Sequence, residues 1–188
     1  MRLFVAFDLT VAVHERISSA VDLLRPNAPR AKWSKPQSWH VTLAFLGERP
    51  AEDVPNISAA LALAMRSQRP LRLMVCGVDT FGLPASPNVL WVGITANAAL
   101  TSLAEGVAFV LKPFAYVPEA RGYTPHITLA RARFASGDPG FVSCVKHLKA
   151  TEFGELSVDR VRLYNSDRAS AGGDTYAVVS EALLGTVE

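Results

Sequence analysis

Hydrophobic positions along this chain fall into two alternating periods, one that suits strands and one that suits helices. Arg2 to Leu9 hold the apolar run Leu-Phe-Val-Ala-Phe and read as a buried strand. Val13, Ile17, Val21 and Leu24 then recur at helical spacing until Pro26 stops the pattern. A loop carrying Arg30, Lys32, Trp33 and Lys35 leads into a strand from His40 that Gly47 closes. Asp53 is a plausible N-cap for a second helix, with Val54, Ile57, Leu61 and Met65 on one stripe before Pro70. Leu71 to Val78 is the next strand, followed by the Pro-rich tip Leu83 to Asn88. The pattern then restarts. Val89 to Thr95 is a strand, Asn97 a candidate N-cap, and Leu100, Leu103, Val107 and Val110 form a third helical stripe ended by Pro113. Asp138-Pro139 opens a fourth helix with Phe141, Val145 and Leu148 facing in. Val158 to Tyr164 and Tyr176 to Leu183 are strands on either side of the tip Ala169 to Gly173.

Within this pattern one phrase occurs twice: His40-Val41-Thr42-Leu43-Ala44 and His126-Ile127-Thr128-Leu129-Ala130. In an extended strand, side chains two apart share a face. Strict alternation therefore puts His40, Thr42 and Ala44 on one side, with Val41, Leu43 and Phe45 on the other. The second copy sorts the same way. With four His and ten Thr in 188 residues, two accidental His-x-Thr pairs have a probability of about 0.02.

His40 and His126 are separated by a shift of 86, and the same shift lays Leu90 on Phe4, Val161 on Val75 and Ser170 on Pro84. Strand falls on strand and tip on tip. The expected fold is α+β: one domain over 1–188, built as two pseudo-symmetric lobes from an internal repeat of 1–88 and 89–188. Each lobe would carry an antiparallel sheet with helices on its outer face, and a central cleft would bring the two polar strand faces together.

Two imidazoles facing each other, each beside a hydroxyl, suit displacement at phosphorus. A neutral imidazole takes a proton from the attacking water and a protonated one gives a proton to the leaving oxygen. An unperturbed pKa near 6.5 keeps both forms accessible near neutrality. Thr42 and Thr128 would donate hydrogen bonds to non-bridging phosphate oxygens. No metal is required: the repeat is His-x-Thr, without the His-x-His or His-x₃-His spacing of a metal site, and no carboxylate accompanies either copy. No cofactor is implied.

Composition limits the alternatives. A chain with 49% hydrophobic and 19% charged residues is globular, and a net charge of +2 with a pI of about 8.7 admits an anionic partner without a polybasic tract. Cys76 and Cys144 are isolated, as buried thiols would be. The apolar run after Met1 is too short for a signal peptide and no stretch reaches the roughly 20 residues that span a bilayer. A cytoplasmic monomer without membrane attachment is expected.

The chain resembles the 2H phosphoesterase superfamily, defined by two His-x-Thr-x motifs, and within it the RNA 2′,3′-cyclic phosphodiesterases, also called 2′-5′ RNA ligases. The resemblance rests on the two phrases, on Arg2 to Asp8, on Trp33 ahead of His40 to Gly47, on Val89 to Gly93, and on Pro125 to Arg131. It implies a two-lobed α+β fold and hydrolysis of a terminal 2′,3′-cyclic phosphate to a 2′-phosphomonoester. It also implies that His40 is the proton donor, His126 the proton acceptor, and Thr42 and Thr128 phosphate ligands. Trp39 departs from the smaller residue usual before the first His.

Further site residues follow with competing readings. Arg131 matches an arginine common after the second motif, but strict alternation puts it opposite His126 unless the strand bulges. Phe7, Trp33, Trp39 and Tyr123 are aromatic candidates near the motifs; base stacking competes with core packing for Phe7, Trp33 and Trp39. Lys32, Lys35, Arg121 and Arg133 are candidate phosphate contacts or simply solvated charges. His14 and His147 lie in helical patterns without a partner motif. RNA ends or small cyclic-phosphate nucleotides are the expected partners. Three rival functions remain: 2′-5′ ligation of tRNA half-molecules, action on a small cyclic phosphate, and a noncatalytic nucleotide- or RNA-binding module.

Overall fold

The computed structural model describes residues 1–118, 120, 122–167 and 175–185, so the tip expected at Ala169 to Gly173 lies outside the described residues. Among these it contains β1 (Arg2–Asp8), α1 (Val11–Leu24), β2 (Lys32–Trp33), β3 (His40–Glu48), α2 (Val54–Met65), β4 (Leu71–Leu83), β5 (Ser86–Ile94) and α3 (Ala98–Leu111). There follow β6 (His126–Arg131), α4 (Gly140–Leu148), β7 (Glu152–Val158), β8 (Arg160–Asp167) and β9 (Thr175–Leu183). The fold is α+β with two lobes, as expected.

Helix boundaries follow the local chemistry. Val13, Ile17, Val21 and Leu24 form the buried stripe of α1. Asn97 caps α3, its side-chain oxygen accepting from the amides of Ala99 and Leu100. Asp53 does not cap α2: it stands at the end of a 3₁₀ lead-in turn, in helical conformation, and makes no side-chain cap bond. Asp138 accepts from the Gly140 amide at 2.9 Å, so it caps from two residues before the first helical position, with Pro139 between them. Two strands have no periodic signature of their own. β2 is a two-residue pairing too short to show one, and in β7 only Phe153, Leu156 and Val158 are buried, with Gly154 interrupting the alternation.

Both sheets are antiparallel, in the orders β3-β1-β8-β9 and β2-β6-β5-β4-β7. The halves of the sequence therefore do not form one lobe each. The first sheet takes β1 and β3 from the first half and β8 and β9 from the second; β4 crosses the other way. Helices cross too: α2 and α3 pack on the first sheet, whereas α1 and α4 pack on the second. Exchanged strands satisfy their backbone groups only in the opposite lobe, and a single apolar core runs from Leu3 through Val41 and Ile127 to Leu156.

The repeat also departs from a constant register. Phe4 pairs with Phe45, and Val89, not Leu90, takes the equivalent place opposite Arg131. A one-residue slip reverses the face. Leu90 is accordingly fully buried, while Phe4 joins Ala6 and Tyr164 in a small separate cluster.

Phe7 faces the large core at 1% exposure. Phe7→Ala should lower stability by about 3–5 kcal/mol, read as a shift in the midpoint of urea unfolding. An unchanged midpoint would contradict this packing.

Candidate active site

The two phrases form β3 and β6, which run next to each other where the lobes meet. In each, the residue two before the His supplies a backbone carbonyl to the ring. Nδ1 of His40 lies 2.7 Å from the Ser38 oxygen, and Nδ1 of His126 lies 2.8 Å from the Thr124 oxygen. A carbonyl only accepts, so both Nδ1 atoms carry hydrogen and donate. Any proton exchange by either ring would therefore use Nε2. The local turns fix this geometry: a Pro36 to Ser38 3₁₀ turn precedes β3, and Pro125 precedes β6.

Each phrase contains a β-bulge at the same place. Val5 pairs with Ala44 and Ala6 with Thr42, leaving Leu43 as the extra residue; Leu90 pairs with Ala130 and Trp91 with Thr128, leaving Leu129. Consecutive residues Leu43-Ala44 and Leu129-Ala130 are therefore all buried in the core. Alternation restarts one residue late. Arg131 returns to the face of His126 and Thr128, opposite Val89 and beside Lys32 on β2. Phe45, expected on the core side, instead lies on the His40 face at 48% exposure, and Ala44 and Ala130 turn inward. Phe45 and Arg131 occupy matching positions on the two walls.

Aromatic rings surround both imidazoles. His40 has its ring centroid 4.8 Å from Phe4, 5.1 Å from Tyr176 and 6.2 Å from Tyr164. Phe4 in turn stacks on Phe45 at 6.2 Å, and the Arg2 guanidinium covers Phe45 at 4.8 Å. Across the cleft, His126 meets Phe81 edge-on at 4.9 Å and Trp91 at 6.0 Å. Sequence reasoning missed these rings as neighbours of the histidines. The signal for them is weak: Trp91 alternates with the buried Leu90 and Val92, whereas Phe4 sits in an unbroken apolar run.

Of the other sequence candidates, the aromatic ones pack on the core. Phe7 faces the core, so it offers no ring to a base. Trp33 pairs with inward-facing Ala130, packs on the same core and donates from Nε1 to the Ala28 carbonyl at 3.2 Å. Trp39 is 5% exposed. Tyr123 also packs on the core, and burial with a neighbouring Tyr116 pushes its phenol well above the ordinary range. Lys35 and Arg133 are exposed, and Arg121 lies outside the described residues. His14 contacts the Pro36 carbonyl at 3.0 Å and leans on Trp39, while His147 is exposed. Cys144 is buried, with its thiol pushed up to about 11 by burial first and by Asp138 second; Cys76 is only half-buried and contacts the Thr95 hydroxyl at 3.2 Å.

Burial dominates the protonation of His40 and lowers its pKa; the Ser38 carbonyl and the Asp8 carboxylate oppose that shift, and the charge of His126 adds to it. The influence of His126 is the smallest of these. Among the described residues, no three His, Cys, Asp or Glu side chains gather as a potential metal site, and no helix is long and apolar enough to cross a membrane.

A two-lobed α+β fold with one His and one Thr on each wall of its cleft defines a phosphoesterase of the 2H superfamily. More particularly, the chain belongs to the LigT-like phosphoesterase family, whose model matches residues 8–91 and 92–173. An RNA 2′,3′-cyclic phosphodiesterase of Aquifex aeolicus is 31% identical over 191 residues, covering 98% of both chains. A Thermus thermophilus protein of known crystal structure matches the whole of both chains at 27% identity and a TM-score of 0.83. Escherichia coli LigT, crystallised in complex with 3′-AMP, matches 97% of both chains at 26% identity and a TM-score of 0.76.

Because folded His40 resists protonation, stability that is complete above the unfolded pKa near 6.5 is lost as pH falls through the lower folded value. An NMR titration of the four histidines should give His40 a midpoint below 6.5. A midpoint at or above that value contradicts the dominance of burial.

Proposed function

We propose that the protein hydrolyses the 2′,3′-cyclic phosphate at an RNA end to a 2′-phosphomonoester, with no metal in the chemical step. The observation that carries the reading is the pair of imidazoles, each held through Nδ1 by the carbonyl two residues before it. The Aquifex aeolicus relative, an RNA 2′,3′-cyclic phosphodiesterase, supports the same reaction.

In this mechanism Nε2 of His126 takes a proton from water as the water oxygen bonds to phosphorus. The bond from phosphorus to the 3′ oxygen breaks, and protonated His40 gives its Nε2 proton to that oxygen, leaving a 3′ hydroxyl and a 2′-phosphate. Thr42 and Thr128 donate to the non-bridging oxygens, and the Arg131 guanidinium adds positive charge as negative charge builds there. Free His40 has a low proton affinity, whereas a bound phosphodiester anion favours the imidazolium. The acid is thus generated as substrate binds.

Two features favour an RNA end over a small cyclic nucleotide. Lys32 lies beside Arg131 along one wall, and the exposed Phe45 ring with Arg2 lies beyond Phe4 on the other. Cations and an aromatic face along both walls suit neighbouring phosphates and a second base. The 3′-AMP held by E. coli LigT supports a cleft that accepts a nucleotide.

With a chelator present, His40→Ala and His126→Ala should each lower turnover of a cyclic-phosphate-ended oligonucleotide by about 10²–10⁴-fold, and the wild-type product should carry a 2′-phosphate. Undiminished turnover by either variant sinks the mechanism; a 2′-5′ joined product would favour ligation.

A further inference from the structure

Charge is unevenly spread along this chain. Segments 28–39 and 126–137 carry five of its 19 Lys and Arg and none of its 17 Asp and Glu, so the remainder is net negative although the whole is +2. Pairing of β2 with β6 brings the two segments together. Lys32 lies opposite Arg131, Trp33 opposite Ala130, and the Ser34 amide donates to the Leu129 carbonyl at 2.8 Å. Antiparallel pairing sets the start of one strand beside the end of the other. Arg30, just before β2, and Arg133, just after β6, therefore stand at one end of this ladder, with Lys35 toward the other.

All five side chains are exposed, and among the described residues none of them makes an ion pair. Guanidiniums elsewhere are neutralised: Arg72 by Glu155, Arg160 by Asp159 and Glu181, and Arg162 by Asp8 and Glu181. The next carboxylate along the chain, Asp138, is engaged by the Gly140 amide. Phe134 follows Arg133 directly and is 57% exposed. Exposed cations interleaved with exposed rings suit single-stranded nucleic acid, because the cations track phosphates while the rings stack bases. The strip is continuous with the cleft, since Arg131 shares the face of His126 and Thr128. Three residues of extended chain reach at most about 11 Å. At about 3.4 Å or more per nucleotide, Phe134 lies within about three nucleotides of Arg131.

We propose that the β2–β6 edge, from Arg131 and Lys32 out to Arg30, Arg133 and Phe134, binds the single-stranded RNA that precedes the reacting nucleotide. The identity of the ligand rests on the phosphodiesterase reading above. The cleft by itself receives a terminal nucleotide, and the strip makes recognition depend on an unpaired tail behind it. A blunt duplex does not suit this edge, because its stacked and paired bases offer no face to Phe134. Net negative charge over the remainder of the chain confines the attraction for phosphates to this strip. The preferred substrate is therefore an RNA end with a single-stranded tail of about three nucleotides or more, rather than a free cyclic nucleotide.

RNAs of one, two, four and eight nucleotides, each ended by a 2′,3′-cyclic phosphate, test the strip. Wild-type kcat/KM should rise with length and level off at about four nucleotides. Arg30→Gln combined with Arg133→Gln should remove most of that rise while turnover of the cyclic mononucleotide stays unchanged. Both side chains are exposed, so the fold tolerates their replacement. Binding of a fluorescent octanucleotide, read by anisotropy, should lose about 0.7 from the slope of log affinity against log salt for each cation removed. Phe134→Ala should weaken that binding about 5- to 150-fold, with the slope kept. Arg72→Gln, which removes a paired guanidinium far along the same sheet, should change neither. Affinity and salt slope unmoved by the double substitution overturn the proposal, as does a blunt duplex that binds as tightly as the single strand. Loss of polyglutamate binding with RNA binding intact overturns it in favour of an acidic protein partner. If wild type hydrolyses none of the RNAs, the phosphodiesterase reading fails, while the anisotropy measurements still decide the strip.

Discussion

One extra residue in each of two strands governs the shape of the cleft. A regular strand with His and Thr on one face would send every later side chain to a predetermined side. The bulges at Leu43 and Leu129 break that rule after the Thr and before the strand ends. Two consecutive residues are buried on each strand as a result, which strengthens the anchorage of the phrase in the core. The following residue is returned to the cleft, where it is Phe45 on one wall and Arg131 on the other.

That shared geometry is filled with different chemistry. Backbone carbonyls orient both imidazoles identically, and aromatic rings pack beside each. The first wall adds the Asp8 carboxylate and the exposed Phe45 ring; the second adds two cations, Arg131 and Lys32. In the proposed hydrolysis a base and an acid must hold different numbers of protons at the same moment. A duplicated scaffold supplies the opposed geometry, and different residues line its two walls. Exchange of strands and helices between the halves locks the walls together around one core.

Much of this was legible in the residues. Helical stripes in α1, α2 and α3, the Asn97 cap, and the apolar faces of the phrase strands follow from spacing alone. The paired His and Thr were visible because repetition of a polar motif on apolar strands has no packing explanation. Phe7 and Trp33 were misleading, since an aromatic ring near a motif in sequence suits a core as well as a ligand. Phe4 and Tyr164 were invisible for a related reason: which side of a continuous apolar strand meets the cleft depends on its neighbours' register. A shift of 86 described the phrase faithfully but was one residue out between β1 and β5, enough to exchange inside for outside.

The sequence by itself determined the repeated chemistry: two imidazoles, two hydroxyls and strands with one face fit for burial. These depend on local periodicity and side-chain identity, which a linear chain carries in full. Only the tertiary structure decided which half supplies each strand of each sheet, that Arg131 and Phe45 face the cleft, and that Asp8 on β1 pairs with His40. Those facts depend on bulges and on pairings between residues distant in the chain, where a register change of a single residue reverses which side chains meet.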